Sequence, residues 1–339
     1  MPVLSWQFDK TIARVKKRVT RREVTKSMRP SRTTKPNLFI VGQPRSGTSA
    51  LYQFLKEHPE VFMSELKEPE YFSKDMESFH FEKSKIRRTD ENYIKLFKDC
   101  KHEKIVGEAS TNYLYSKVAA KEIRQFNPSA KIIVMIREPV EFLHSYHSYR
   151  LRALYEQENI RDFVKALASE PERRLGKNIP MRCLNPSMLY YSERVKYSEQ
   201  IRRYYSTFDK AQIKIIVYDD FKKDNAEVYK DVLRFVGIQE DFAPEFRIVN
   251  PSATVRFKTL KVIKEAEHYL RIRTIAKLVI PDKVVPHFKR LYDNTILNFQ
   301  VRPSLDPSVR TRLMGKYKKE VEEVSRLLNR DLVRLWGYE

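Results

Sequence analysis

Two cysteines, Cys100 and Cys183, are all that the 339-residue chain contains. So few exclude a disulfide framework, and no Cys/His cluster has the spacing of a zinc site. Long apolar runs are missing too. The most hydrophobic stretches, LFIV, KIIVMI and IKIIVY, are too short to span a bilayer and read as buried strands, in keeping with a mean hydropathy of -0.59. Met1 to Pro36 is interrupted by charge throughout and lacks the apolar segment of a secretory leader. Internal repeats and low-complexity tracts are absent as well. These absences predict a soluble protein working in a reducing, cytoplasmic setting without a metal site.

What the chain has in excess is positive charge, +22 in all. Residues 1–36 hold eleven Lys or Arg against Asp9 and Glu23, a net of 11 − 2 = +9, which leaves +13 for the remainder. The first segment is therefore read as a basic N-terminal extension, either solvated or available for peripheral contact with anionic surfaces such as a membrane. Charge of this kind is not by itself a sign of specific nucleic-acid binding, and none is expected. Residues 37–339 form the folded domain, whose basic body suits an anionic ligand.

Short apolar, β-branched segments predict strands at Leu38 to Val41, Ile105 to Gly107, Ile132 to Ile136 and Ile213 to Tyr218. Helical patterns lie between and after them, at Ser49 to Glu57, Val118 to Phe126, Val140 to Gln157, Ser187 to Phe208 and Ala226 to Val236. Alternation of this sort predicts a three-layer α/β fold, a central parallel sheet flanked by helices, with ligands at the carboxyl ends of the strands. Asp306 to Leu328 reads as a helical C-terminal cover on the same domain.

The stretch NLFIVGQPRSGTSAL, Asn37 to Leu51, runs from a strand through a turn into a helix. Gly42, Gly47 and Ser49 meet the spacing of a nucleotide-binding phosphate loop, but Thr48 stands where that loop carries lysine. Amides at the turn and helix start still favour a phosphate. Arg45 is the cation in the loop, and its planar guanidinium can grip an oxyanion at two points. A loop without its lysine points away from ordinary nucleoside triphosphate hydrolysis.

Three further segments accompany the loop: KEPEYF at Lys67 to Phe72, GEASTNYLY at Gly107 to Tyr115, and IREPVEFLHSYHSYR at Ile136 to Arg150. With PRSGTSAL they resemble, in order, the sulfotransferases that use 3′-phosphoadenosine 5′-phosphosulfate (PAPS), with the closest look to the bacterial and Golgi carbohydrate-type branch. The resemblance extends to LDPSVRTRL and to Asp331, Leu332 and Trp336 near the end. It implies a P-loop-like fold and transfer of a sulfuryl group to an acceptor hydroxyl or amine, most readily on a carbohydrate or glycolipid, releasing adenosine 3′,5′-bisphosphate (PAP) without a metal. It implies that Arg45, Ser46, Gly47, Thr48 and Ser49 hold the 5′-phosphosulfate. Arg137 and Ser145 would bind the 3′-phosphate, with Arg256 closing over it. Glu68 would be the general base, assisted by Lys67, in an in-line displacement. Many relatives carry His or Asn two residues after that glutamate; here the position is Glu70.

Thr111 and Tyr113 are plausible cleft residues, although Tyr113 fits the core equally well. His144 and His147 flank Ser145 and Tyr146 and are left outside the catalytic set. Two other function classes compete: a P-loop kinase or NTPase, opposed by Thr48 and by the lack of a strand ending in a metal-binding aspartate, and a noncatalytic binder of anionic ligands or nucleic acid, which leaves KEPEYF unexplained.

Overall fold

The computed structural model describes residues 35–76, 89–152, 157–181, 183, 185–246, 254–255, 297–298 and 304–339. The basic extension, up to residue 34, and Arg256 lie outside them. In chain order the elements are β1 (Leu38–Gly42), α1 (Thr48–Glu57), β2 (Val61–Met63), α2 (Asp90–Ile94), β3 (Ile105–Ala109), α3 (Ala119–Phe126), β4 (Lys131–Ile136) and α4 (Pro139–Arg152). There follow α5 (Phe163–Ala168), α6 (Glu170–Arg174), α7 (Tyr191–Arg194), α8 (Tyr197–Tyr205), β5 (Ile213–Val217), α9 (Tyr218–Lys223), α10 (Asn225–Val236), α11 (Pro307–Leu328) and α12 (Leu332–Trp336).

Strands β1 to β5 form one sheet in the order β2-β3-β1-β4-β5, and every pairing is parallel. Parallel sheets are covered on both faces, and strand alternation sorts the side chains accordingly. Leu38, Ile40, Ile133, Met135 and Ile216 face the layer holding Leu51, Phe54 and Leu55 of α1 and Tyr229, Val232 and Leu233 of α10. Phe39, Val41, Ile132, Val134 and Ile136 face the other layer, with Ile123 of α3, Phe142 and Leu143 of α4, and Ile201 and Tyr204 of α8. The three-layer α/β prediction is what the chain adopts.

The C-terminal helices join the second layer through Leu313, Tyr317, Val321, Val324, Leu332 and Trp336. Polar contacts fix them. Arg330 grips both oxygens of Asp220, Trp336 Nε1 donates to Asp219 at 2.9 Å, and the Tyr338 hydroxyl donates to Glu138. Glu138 in turn accepts from the backbone of Val140 and Glu141 at 2.9 and 2.7 Å, capping the start of α4. The cover is thus part of the domain.

Some boundaries differ from those read in the sequence. The short strand β2 was not foreseen, because three residues carry too little alternation. Tyr218 opens α9 and does not end β5. The long helix expected over Ser187 to Phe208 is broken into a 3-10 turn at Pro186–Leu189, then α7 and α8. Leu189, Tyr191, Arg194, Val195 and Tyr197 are all buried, and the chain breaks at Tyr190 and Lys196, where the backbone leaves helical geometry.

Gly42 ends β1 at φ 149, and a Cβ there would come within 2.8 Å of both Leu114 Cβ and the Thr111 carbonyl oxygen. Gly42→Ala should destabilise the fold by about 1–3 kcal/mol, the scale of strain from a forbidden backbone conformation. Urea denaturation followed by circular dichroism checks this; an unchanged midpoint would show that the turn can yield.

Candidate functional site

The loop after β1 sits at the carboxyl edge of the sheet's middle strand, between β3 and β4. It is pinned from both sides. The Gln43 N–H donates to the Met135 carbonyl at 2.5 Å, while its buried side-chain amide donates to Gln200 Oε1 at 2.7 Å and to the Arg194 carbonyl at 3.0 Å. Arg45 and Gly47 both take positive φ, 63 and 90, which turns successive amides toward the concave side of the loop. Helix α1 then starts at Gly47 with no side-chain cap and no acidic residue in its first turn. Its first amides are open to an anion. The fully buried Ser46 Oγ has no hydrogen-bond partner among the described residues, as expected of a group that meets a ligand.

Residues distant in sequence converge here. Arg45 Nε donates to Ser145 Oγ of α4 at 3.3 Å, and Arg137 Nη1, just past β4, donates to the Arg45 carbonyl at 3.2 Å. Tyr149, one turn beyond Ser145, lies with its ring 5.6 Å from the Arg45 guanidinium. Arg137 rests over the Tyr218 ring at 4.7 Å and pairs with Glu141 at 3.3 Å. That carboxylate is shared with Arg310, at 2.8 Å, which also reaches Glu138 at 3.6 Å, so the two arginines face two carboxyls and Arg45 adds a further positive charge. Of the residues anticipated for an anionic donor, Arg45, Ser46, Gly47, Thr48, Ser49, Arg137 and Ser145 are brought to one place.

Across from them lies KEPEYF. Glu68 and Glu70 both have positive φ, 60 and 55, and their carboxyls lie in different surroundings. The Glu68 N–H donates to the Ala109 carbonyl at 2.9 Å, attaching the segment to the end of β3. Its side chain is part-exposed and paired with Lys67 at 2.5 Å. Glu70 is buried and accepts from Ser73 Oγ and Asn112 Nδ2, both at 3.1 Å. Burial, with the charges of Glu68 and Glu108, pushes its carboxyl up to about 8. Glu108, inside β3, accepts from Tyr93, Tyr113 and Ser110 at 2.9, 2.8 and 2.6 Å. Burial outweighs these donors and raises it to about 7.

Tyr113 is a core residue, and Thr111 is buried with its carbonyl against Gly42. His147 is also structural, bonded through Nε2 to the Ile160 carbonyl at 2.8 Å. Sequence reasoning missed Gln43, Asn112, Tyr149 and Arg194. Asn112 lies inside a segment already singled out; Arg194 has no local signal, because its partners are contributed by other elements.

A carboxyl whose folded pKa is raised favours folding while protonated, so its contribution is full below the ordinary carboxylate range and is lost as pH rises toward the folded value. Between about pH 4.5 and 8 Glu70 should therefore make stability fall with rising pH. Glu70→Gln should flatten this slope and raise the Tm at pH 8 relative to wild type. Melting curves from pH 5 to 8.5 give the comparison; parallel slopes would show that Glu70 is not the titrating group.

Comparison with known proteins places this geometry. The sulfotransferase domain model matches residues 35–271. Among curated proteins the chain is 27% identical over 210 residues to the bifunctional heparan sulfate N-deacetylase/N-sulfotransferase 4 of Mus musculus, covering 60% of this chain and 22% of that protein. With carbohydrate sulfotransferase 15 of Homo sapiens it shares 24% identity over 245 residues, 60% of this chain and 44% of the relative. The chain thus matches less than half the length of these curated relatives. The crystal structure of a sulfotransferase from Alicyclobacillus acidocaldarius superposes with a TM-score of 0.66 at 25% identity, covering 90% of this chain and 99% of that one. With a match over most of its length and the loop built as the fold requires, the chain belongs to the sulfotransferase family.

Proposed function

We propose that this protein transfers a sulfuryl group from PAPS to an acceptor hydroxyl or amine, most readily on a carbohydrate, and releases PAP without a metal. The observation that carries the reading is the convergence of Arg45, Ser145 and Arg137 around a loop whose Ser46 Oγ lacks a partner. One cation from the loop and one from a strand end suit a donor with two separate phosphate groups. The carbohydrate acceptor is supported by the relatives, a bifunctional heparan sulfate N-deacetylase/N-sulfotransferase and a carbohydrate sulfotransferase.

In this reading the loop amides, Ser46, Thr48 and Ser49 hold the 5′-phosphosulfate, and Arg137 and Ser145 hold the 3′-phosphate. Arg45 faces the reacting end, where its guanidinium offsets the charge that builds on the departing phosphate. Glu68 accepts the acceptor's proton as its oxygen or nitrogen bonds to sulfur and the sulfur–phosphate oxygen bond breaks. The neighbouring Lys67 keeps that carboxylate oriented. Glu70, buried and holding its proton near neutrality, supports the segment and does not act as base. The kinase or NTPase reading lacks the loop lysine, and Asp219 and Asp220 after β5 are engaged by Trp336 and Arg330.

Calorimetry without magnesium should show PAP binding that Arg137→Ala weakens by roughly 1.5–3 kcal/mol, the value of charge-assisted hydrogen bonds. Equal affinity for adenosine 5′-phosphosulfate, which lacks the 3′-phosphate, would remove the basis for the clamp. Glu68→Gln should leave PAP affinity intact and lower kcat by about a hundredfold or more, with Glu70→Gln doing far less. The reverse ranking in a labelled-donor assay would move the base to Glu70.

A further inference from the structure

Three arginines are buried on the acceptor side of the fold, and one of them is neutralised. Arg173 is fully buried and grips both oxygens of the equally buried Glu158, at 2.8 and 2.7 Å. Arg194, also 0% exposed, has no carboxylate partner among the described residues. Its Nη1 donates to Asn112 Oδ1 at 3.0 Å, its Nη2 meets Met188 Sδ at 2.7 Å, and its Nε has no partner. Arg150 on α4 is 7% exposed, and its Nε likewise has no partner among the described residues. The two guanidinium groups lie 5.6 and 5.8 Å from the ring centre of Tyr146, and Arg194 stacks on Tyr115 at 3.8 Å.

Aromatic faces offset part of the cost of burying such charge. They leave the Nε–H of each arginine unsatisfied, and among the described residues neither buried cation has a carboxylate counter-ion, a costly arrangement in a protein. Both groups adjoin the reaction centre. Asn112, which accepts from Arg194, also donates to Glu70, while Tyr149, next to Arg150, stands beside Arg45.

We propose that Arg150 and Arg194, set around Tyr146, form a second oxyanion subsite, separate from the donor loop, that binds a carboxylate or sulfate group carried by the acceptor. The acceptor is then an acidic molecule, read by its charge close to the group that is sulfated. This assignment to the acceptor rests on the sulfotransfer reading above; the anion site itself does not.

The test uses full-length protein saturated with PAP, which fills the donor loop. Sodium sulfate and sodium glucuronate are titrated in thermal melts against sodium chloride at matched ionic strength, with glucose as the neutral control. Wild type should gain about 2 °C or more from at least one oxyanion, through mass action on the folded state. Whichever anion acts tells whether a sulfate or a carboxylate is read. Arg150→Gln should raise the half-saturating concentration by about tenfold, and Arg194→Lys, which keeps charge but loses the planar fork, should do the same. If Arg194→Lys fails to fold, Arg150→Gln carries the test alone. No shift beyond chloride in wild type, or an equal shift in wild type and Arg150→Gln, overturns the proposal. If PAP itself does not stabilise the protein, the donor reading falls, and the comparison of wild type with Arg150→Gln is made on the unliganded protein.

Discussion

A single close approach organises the mouth of the sheet. The Leu114 N–H donates to the Val41 carbonyl at 2.7 Å, drawing the turn after β3 against the end of β1 where Gly42 leaves no side chain in the way. That turn carries Ser110 and Asn112, which hold Glu70, and it follows the strand that holds Glu68 through Ala109. The loop after β1 and the carboxylates of KEPEYF are therefore two edges of one contact. Few residues can fill such a role, since any side chain at Gly42 would push the two edges apart.

Charge is distributed across this contact with a consistent logic. On the loop side Arg137 and Arg310 are met by Glu141 and Glu138, and Arg45, bonded to the Ser145 hydroxyl, adds a further positive charge. On the other side Glu70 and Glu108 are buried among hydroxyls and amides, with raised carboxyls that shed charge near neutrality. At neutrality Glu70, raised to about 8, is largely protonated and Glu108, raised to about 7, partly so, which lowers the negative charge on this side of the site. Glu68, part-exposed beside Lys67, is the carboxylate of the segment placed to act in water-accessible space.

The sheet was legible because its strands are short β-branched runs whose two faces are both buried, a pattern that survives without knowledge of partners. The loop after β1 and its place at the sheet edge were equally legible, since glycine spacing and a helix start are local properties, and Arg137 and Ser145 lay in a segment similar to a known family. What resisted reading was assembled from afar. Arg194 lies beside a break in what periodicity alone suggests is one helix. Gln43 matters through Gln200, 157 residues away. The three-residue β2 carries no pattern, and Glu68 and Glu70 both take positive φ, which nothing in KEPEYF announces.

The hydrogen bond from Tyr338 to Glu138 spans 200 residues and closes on the carboxylate that caps α4. Helix α4 carries Ser145, Tyr149 and Arg150. Loss of Tyr338 would leave the buried Glu138 carboxyl with one donor fewer at the start of the helix that carries Ser145, Tyr149 and Arg150. A change at Tyr338 can thus reach those side chains without touching them.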